Sequence, residues 1–457
     1  MRKFVASRAA AFGTVVTVAT LLLPGMLSAP TAAGAPATSQ IGVDQVPPEL
    51  AEALDHDLDL TPAEYLNRAA RAQELDDYAD RFRATFPAEY AGAWLDDDGA
   101  PVVAVTTTNA AQAAASDGYR THLVPVSAAD LERSADELNR WILGLPREVS
   151  SQINQIVIDV LNSQIVVDVA NSQVGRILNL PTLIASVKVQ LSPESGGAVQ
   201  HVPMGGDTYI SARVALPDST AAEITVCSFG FAATDANGNA LNVSAGHCDP
   251  NADSAAPSTG SADVAAAVYV PNYANVLDSR QVGTFARANI AATDGLDYSL
   301  IRFNRNVAGS GLDQPVIRGA NGTTLAVTGT ASPVVGAPVC KSGQSSAFTC
   351  GTVLADRVEV PLIADDGSSR MVRGFASSAC TLAGDSGGAI VTGSLALGIT
   401  SGSNSSTAQS CTEANILLGG RAASLGIPIQ PILADADATS GGGVGSGIQI
   451  RTAPAAA

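Results

Sequence analysis

The chain has 457 residues, 46% hydrophobic and 15% charged, with 43 glycines and 24 prolines, a texture of short strands and many turns rather than long helices. It is too long for one ordinary domain, so two folded units plus tails are expected. A formal charge of −18, with no cluster of Lys and Arg, excludes a nucleic-acid binder, because phosphate contacts need concentrated positive charge.

Arg2, Lys3 and Arg8 precede an apolar run from Ala9 to Leu23, too short to span a bilayer, and small residues follow to Ala37. This predicts a signal peptide over residues 1–37, with Ala35 and Ala37 meeting the small-x-small rule. No later segment is long and apolar enough for a stable membrane span. Residues 38–201 form an acidic, cysteine-free unit: the net charge is −14 over residues 36–201 against −6 over residues 202–433. Thr61-Pro62-Ala63-Glu64 is a capping box with Pro at the first helical position, and apolar residues then recur at helical spacing to Phe86. A second helix is predicted over Ser127 to Leu143. Near-alternation from Ile153 to Val169 predicts two paired strands, so the unit is α+β.

From Val202 to Leu433 short β-branched runs alternate with Gly, Asn, Asp and Ser turns. Strands are predicted at Ile224 to Ala232, Ala265 to Tyr269, Tyr298 to Phe303, Thr324 to Thr330, Val358 to Ile363, Ala389 to Val391 and Leu395 to Thr400. Many short strands without intervening helices imply an all-β sandwich or barrel pair. Residues 434–457, with Ser440-Gly441-Gly442-Gly443 and an Ala-rich end, are expected to be a disordered tail. The six cysteines lie between Cys227 and Cys411, an even number in an exported chain, which favours disulfides over metal ligation. With no CxxC pair and four histidines lacking ligand spacing, neither a metal nor another cofactor is expected.

Gly384-Asp385-Ser386-Gly387-Gly388 is the sharpest chemical signal. Glycines flanking a serine let the backbone turn so that the hydroxyl projects and nearby N–H groups converge on one point. That makes Ser386 a candidate nucleophile and the N–H groups of Gly384 and Ser386 a candidate oxyanion hole. A serine hydroxyl needs a base, and His247, in Ser244-Ala245-Gly246-His247-Cys248, is the one histidine beyond the domain junction at His201. The third member is a carboxylate that orients the imidazole. Asp297, opening Asp297-Tyr298-Ser299-Leu300-Ile301, is the choice, with Asp294 its competitor. The order His247, Asp297, Ser386 is that of chymotrypsin.

On these residues the second unit resembles the streptogrisin and α-lytic protease branch of the chymotrypsin-like serine peptidases. The matching stretches are Cys227 to Phe231, Ser244 to Cys248, Asp297 to Ile301, Val339 to Gly343 with Cys350-Gly351, and Cys380 through Ser401-Gly402. The front unit resembles that branch's pro-region at Tyr90 to Trp94 and Val102 to Thr106. The resemblance implies two six-stranded antiparallel β-barrels preceded by an α+β pro-domain. It also implies a secreted, monomeric bacterial endopeptidase acting on protein or peptide substrates, whose pro-region aids folding and inhibits until removed. Cys227 is implied to pair with Cys248, Cys340 with Cys350, and Cys380 with Cys411. Ser401 is implied to hydrogen-bond Asp297, while backbone at Ser401, Gly402 and Ser403 pairs with substrate. In the branch an arginine neutralises the acid matching Asp385. Lys341 stands there in this chain, predicting a Lys341–Asp385 ion pair; an exposed lysine is the alternative.

At the positions that the resemblance aligns with the family's specificity pocket, Ser377 to Ala383 and Thr400 to Asn404, no acid lies, which disfavours Lys or Arg before the cut and favours small or apolar residues, with Glu413 able to enter the pocket. The stretch from His247 to Asp297 is longer than the branch's, and Ala389 stands where Pro is usual. Two rival readings are a catalytically silent secreted binding protein on the same fold, which would normally lack a triad member, and an esterase, whose nucleophile elbow sits in an α/β context.

Overall fold

The computed structural model describes residues 40–144, 153–169, 186–190, 203–212, 215–216, 224–252, 258–259, 265–272, 275–291, 295–307, 311–320, 323–363, 369–405, 410–411, 414 and 423–454. The predicted signal peptide, Asp294, His201 and Glu413 lie outside them.

The front unit opens with helices Pro48–Leu58 and Pro62–Thr85. The capping box closes as read: Thr61 Oγ1 accepts the Glu64 N–H at 3.3 Å and the Glu64 carboxylate accepts the Thr61 N–H at 2.9 Å. Strands Tyr90–Leu95, Pro101–Val105 and Arg120–Leu123 form a three-stranded sheet, accompanied by helices Thr108–Ser116 and Ala128–Leu143. Ser127 caps the last of these. Strands Ile153–Asp159 and Gln164–Val169 pair antiparallel, as their alternation predicts, and Ser186–Gln190 joins in parallel.

Among the described residues the second unit contains two large sheets and a small two-stranded one, Val316–Arg318 with Thr324–Ala326. In the first, strand 240–244 lies between 231–234 and 297–303, and the path continues through 280–290, 267–270, 208–212 and 224–228. Strands 224–228 and 231–234 are one run interrupted at Phe229-Gly230. In the second, Pro338–Gly343, Ala389–Thr392, Leu395–Ser403, Ser424–Pro428, Ser369–Ser377 and Ala347–Ile363 follow in order, and pairing of the first with the last closes the ring. This is the expected chymotrypsin-like pair. The Ala347–Ile363 strand is far longer than its predicted part, Val358 to Ile363, because register shifts around Ala355 put Asp356 and Arg357 inside it and break the alternation.

Val157 of the front unit pairs with Val358, so the front hairpin extends the second barrel's sheet. Apolar packing is equally continuous: Leu50, Leu54 and Tyr65 share a core with Leu300, Ile399 and Ile427. Burying each such leucine contributes about 1.5–3 kcal/mol.

The expected disordered tail is instead folded. Helix Ile429–Ala438 carries the chain past Leu433, and Gln449–Ile450 adds a strand beside Phe231–Thr234. Gly441, Gly442, Gly445 and Gly447 all have positive φ, so these glycines form defined turns, and Ile448 and Ile450 are buried beyond them.

Candidate active site

The Ala240–Ser244 strand pairs with Asp297–Phe303, aligning Ser244 with Ser299. This register brings the turn Gly246–Cys248 beside the start of the neighbouring strand. Gly246 is required there, since a Cβ would lie 2.3 Å from the Asn289 carbonyl oxygen and 2.9 Å from that of Tyr298. The Cys227–Cys248 disulfide staples the turn. Cys227, Cys248 and His247 cluster closely, but the disulfide leaves no thiolate to hold a metal.

Asp297 accepts twice from His247, from the backbone N–H at 2.9 Å and from Nδ1 at 2.7 Å. Ser401 Oγ donates to the same carboxylate at 2.6 Å. With the proton on Nδ1, the imidazole keeps Nε2 as its basic nitrogen. The Asp297 side chain is 3% exposed and that of His247 35%. Burial disfavours both charged forms. The mutual charge and hydrogen bonds outweigh it, raising the His247 pKa and lowering that of Asp297, which Ser401 lowers further.

Ser386 sits in a turn between Gly384 and Gly387, with φ of 94° and 83°. Gly387 is pressed against the histidine segment: a Cβ would lie 2.0 Å from Ser244 Oγ and 3.1 Å from the Ala245 nitrogen. The Ser386 carbonyl accepts the Ser228 N–H at 2.8 Å, Ser228 Oγ donates to the Gly384 carbonyl at 2.8 Å, and the Gly387 N–H reaches Thr400 at 2.7 Å. Ser228 thus braces the nucleophile loop, a role for which its place after Cys227 gives no sequence signal. Among the described residues, the N–H groups of Gly384 and Ser386 donate to no protein acceptor, and Ser386 Oγ and His247 share no hydrogen bond.

Lys341 and Asp385, the pair that the resemblance implied, are fully buried and meet at 2.8 Å. Lys341 also donates to Ser346 Oγ at 2.5 Å. Asp385 accepts N–H groups of Leu382, Ser345 and Ser346 at 2.8, 2.8 and 3.0 Å. Burial resists the Asp385 charge, but Lys341 and these donors keep its pKa low. The remaining bridges, Cys340–Cys350 and Cys380–Cys411, are formed, the first across two paired strands and the second bracing the nucleophile loop.

The Leu395–Ser403 strand pairs with Ala389–Thr392 only as far as Ile399, while its other edge stays paired through Ser403. A Cβ on Gly402 would meet nothing within 4 Å, so the face of the strand at Gly402 is open among the described residues. The Ser403 and Ser405 hydroxyls donate to the Thr381 carbonyl at 2.9 and 2.7 Å, and Ser377 and Ser424 hydroxyls meet at 2.7 Å. The Ser403 bond joins the two segments aligned with the family's pocket, while Ser405 and Ser424 tie each segment to its surroundings.

Together these features define a chymotrypsin-like serine-type endopeptidase. The trypsin family model matches residues 236–416, and that of the alpha-lytic protease pro N-terminal region matches residues 63–124. The chain therefore carries a trypsin-type domain behind an alpha-lytic-type pro N-terminal region, and its full-length relatives are serine proteases of the streptogrisin type. Streptogrisin-C of Streptomyces griseus is 27% identical over 411 residues, spanning 86% of this chain and 78% of that one. Serine protease 1 of Streptomyces fradiae is 28% identical over 350 residues, 76% and 83% of the two chains. Among solved structures, Thermobifida fusca protease A is 25% identical, aligning 55% of this chain with 98% of that one at a TM-score of 0.36. Among the described residues no helix is long and apolar enough to cross a membrane.

Proposed function

We propose that the protein is a secreted endopeptidase made as a preproenzyme, cutting peptide bonds through an acyl-enzyme on Ser386. The observation that carries this reading is the chain Ser401, Asp297, His247, with 2.6 and 2.7 Å links, beside a nucleophile loop whose Gly384 and Ser386 N–H groups are unspent among the described residues. His247 Nε2 takes the Ser386 hydroxyl proton as Oγ bonds to the substrate carbonyl carbon. The oxygen gains negative charge and the Gly384 and Ser386 N–H groups stabilise it. His247 then passes its proton to the departing amine as the C–N bond breaks, and a water repeats the sequence to release the acid and restore the Ser386 hydroxyl. Asp297 holds the imidazole and stabilises its cation.

The front unit, residues 38–201, is proposed as an intramolecular folding aid and inhibitor, cut from the protease near Gln200 to Met204. Support for the boundary comes from the anchoring of the chain just after it. The Met204 N–H reaches Asp207 at 2.9 Å, and Asp207 pairs with Arg318 at 2.5 Å. The disulfides fit an oxidising extracellular setting. The neutral hydroxyls beside Thr381 support small or apolar residues before the cut, with a monomer as the working unit. A serine-directed fluorophosphonate should label Ser386 covalently and stoichiometrically. Equal labelling of Ser386→Ala would overturn the assignment.

A further inference from the structure

The C-terminal segment binds both barrels at the catalytic acid. Helix Ile429–Ala438 follows the Ser424–Pro428 strand of the second barrel, and that strand pairs with the one bearing Ser401. From this helix Asp435 reaches into the first barrel: its Oδ2 accepts from Tyr298 Oη at 2.6 Å and from Asn289 Nδ2 at 3.2 Å. Tyr298 directly follows Asp297, and Asn289 is its cross-strand partner. The carbonyls of Asn289 and Tyr298 are the ones that crowd Gly246, next to His247. Their side chains therefore grip the helix while their backbones support the histidine turn.

The segment beyond the helix keeps it seated. Arg287 donates to the Ala436 carbonyl at 2.6 Å, to that of Val444 at 3.4 Å and to Thr439 Oγ1. A cation on the last carbonyls of a helix is favoured by the free acceptors and the dipole there. The chain then turns through its glycines. The Gly445 N–H reaches Asp235 at 3.1 Å, Ile450 pairs with Ala233, and the Arg451 and Ala453 N–H groups donate to Ala232 and Val327 at 2.8 and 2.7 Å. Residues 439–454 form a strap across the sheet that carries His247 and Asp297.

We infer that Asp435 is a positioning residue for the His247–Asp297 pair, acting through Tyr298 and Asn289, with residues 439–454 holding its helix in place. The inference rests on the triad reading. Ser401 fixes Asp297 from the second barrel on one side, and Asp435 fixes the strand bearing it on the other. The acid is therefore located by one direct contact, from Ser401, and by one made through its strand, from Asp435.

The test uses the full chain, with active enzyme counted by fluorophosphonate titration. Asp435→Ala should lower kcat by roughly 10- to 100-fold with KM within about twofold, because small misplacements of catalytic groups weigh on the chemical step. Its acid limb in kcat/KM should shift downward as the imidazolium loses a well-seated partner. Asp435→Asn can still present a carbonyl oxygen to both donors, and should restore kcat to within about threefold of the native chain. If Asp435→Ala fails to fold, Tyr298→Phe removes one hydroxyl and should show the same downward shift of the acid limb with a smaller fall in kcat. Unchanged kcat and pH profile per titrated site, with only a lower melting temperature, would overturn the inference. Failure of the native chain to label at Ser386 would instead remove the triad reading.

Discussion

Replacing Lys341 by Met tests how the nucleophile loop is held ready. The substitution keeps volume and apolar stem but removes the ammonium from a pair that is 0% exposed on both sides. Asp385 cannot turn to solvent, because its oxygens are fixed by the N–H groups of Leu382, Ser345 and Ser346. Removing one partner of a buried pair leaves an uncompensated charge and destabilises by about 3–5 kcal/mol. The same loss raises the Asp385 pKa by burial, so the folded state binds a proton more tightly than the unfolded chain. A raised carboxyl pKa makes stability fall as pH rises from the unfolded value to the folded one. The deficit of Lys341→Met should therefore be full at neutral pH and shrink on acidification. Urea denaturation in a Ser386→Ala background, which prevents self-digestion, measures it at pH 7 and pH 5, and fluorophosphonate labelling in the native background reports the loop. A deficit under about 1 kcal/mol at pH 7, or one that grows on acidification, would refute the reasoning.

The raised His247 pKa places the acid limb of kcat/KM above the ordinary 6.5 of histidine, with activity lost as pH falls through it. Asp297→Asn should move that limb downward and lower kcat by about 10⁴-fold, read from pH–rate profiles. At the junction of the two units, burial raises Asp76 and Asp356 each to about 6. Ser332 hydrogen-bonds Asp76, and Asp80, Asp77 and Asp356 face it, while Glu132 and Arg357 face Asp356. Separation of the units releases those protons, so their association should weaken as pH rises from about 4 to 6 and level off above it. Pro-region dissociation from the Ser386→Ala enzyme across that range checks this, and Asp356→Asn should flatten the dependence.

Much of the site was legible because its chemistry demands scarce residue types. Ser386 lies between glycines whose positive φ the motif anticipates, whereas the Ala240–Ser244 strand, whose register with Asp297–Phe303 brings His247 to Asp297, is absent from the predicted strands because its residues are buried without alternation. Lys341 and Asp385 were legible only through the resemblance, since nothing local marks a lysine as buried. Ser228 and Asp435 left no trace, being common polar residues whose partners lie far along the chain. The glycine run after Ser440 misled most. Composition measures how many conformations a segment can adopt, whereas Ile448 and Ile450 supply burial that selects one of them.

The two halves of the triad are assembled by different means. The His247–Asp297 half belongs to one sheet, with adjacent strands in register and the Cys227–Cys248 bridge. The Ser386 half depends on closing the second barrel, whose Pro338–Gly343 strand must meet both Ala347–Ile363 and Ala389–Thr392. Pairings that close late across long loops are slow to form. The front unit grips that barrel at several points. Asp57 accepts the Cys350 N–H at 2.8 Å, Tyr65 Oη accepts the Gly393 N–H at 2.9 Å, and Val157 pairs with Val358. The first of these touches the hairpin that carries Lys341 and Ser346, and so reaches the ion pair under the nucleophile. A pro-region acting there would lower the barrier to the one part of the site that local sequence cannot organise, leaving the histidine half to fold on its own ladder.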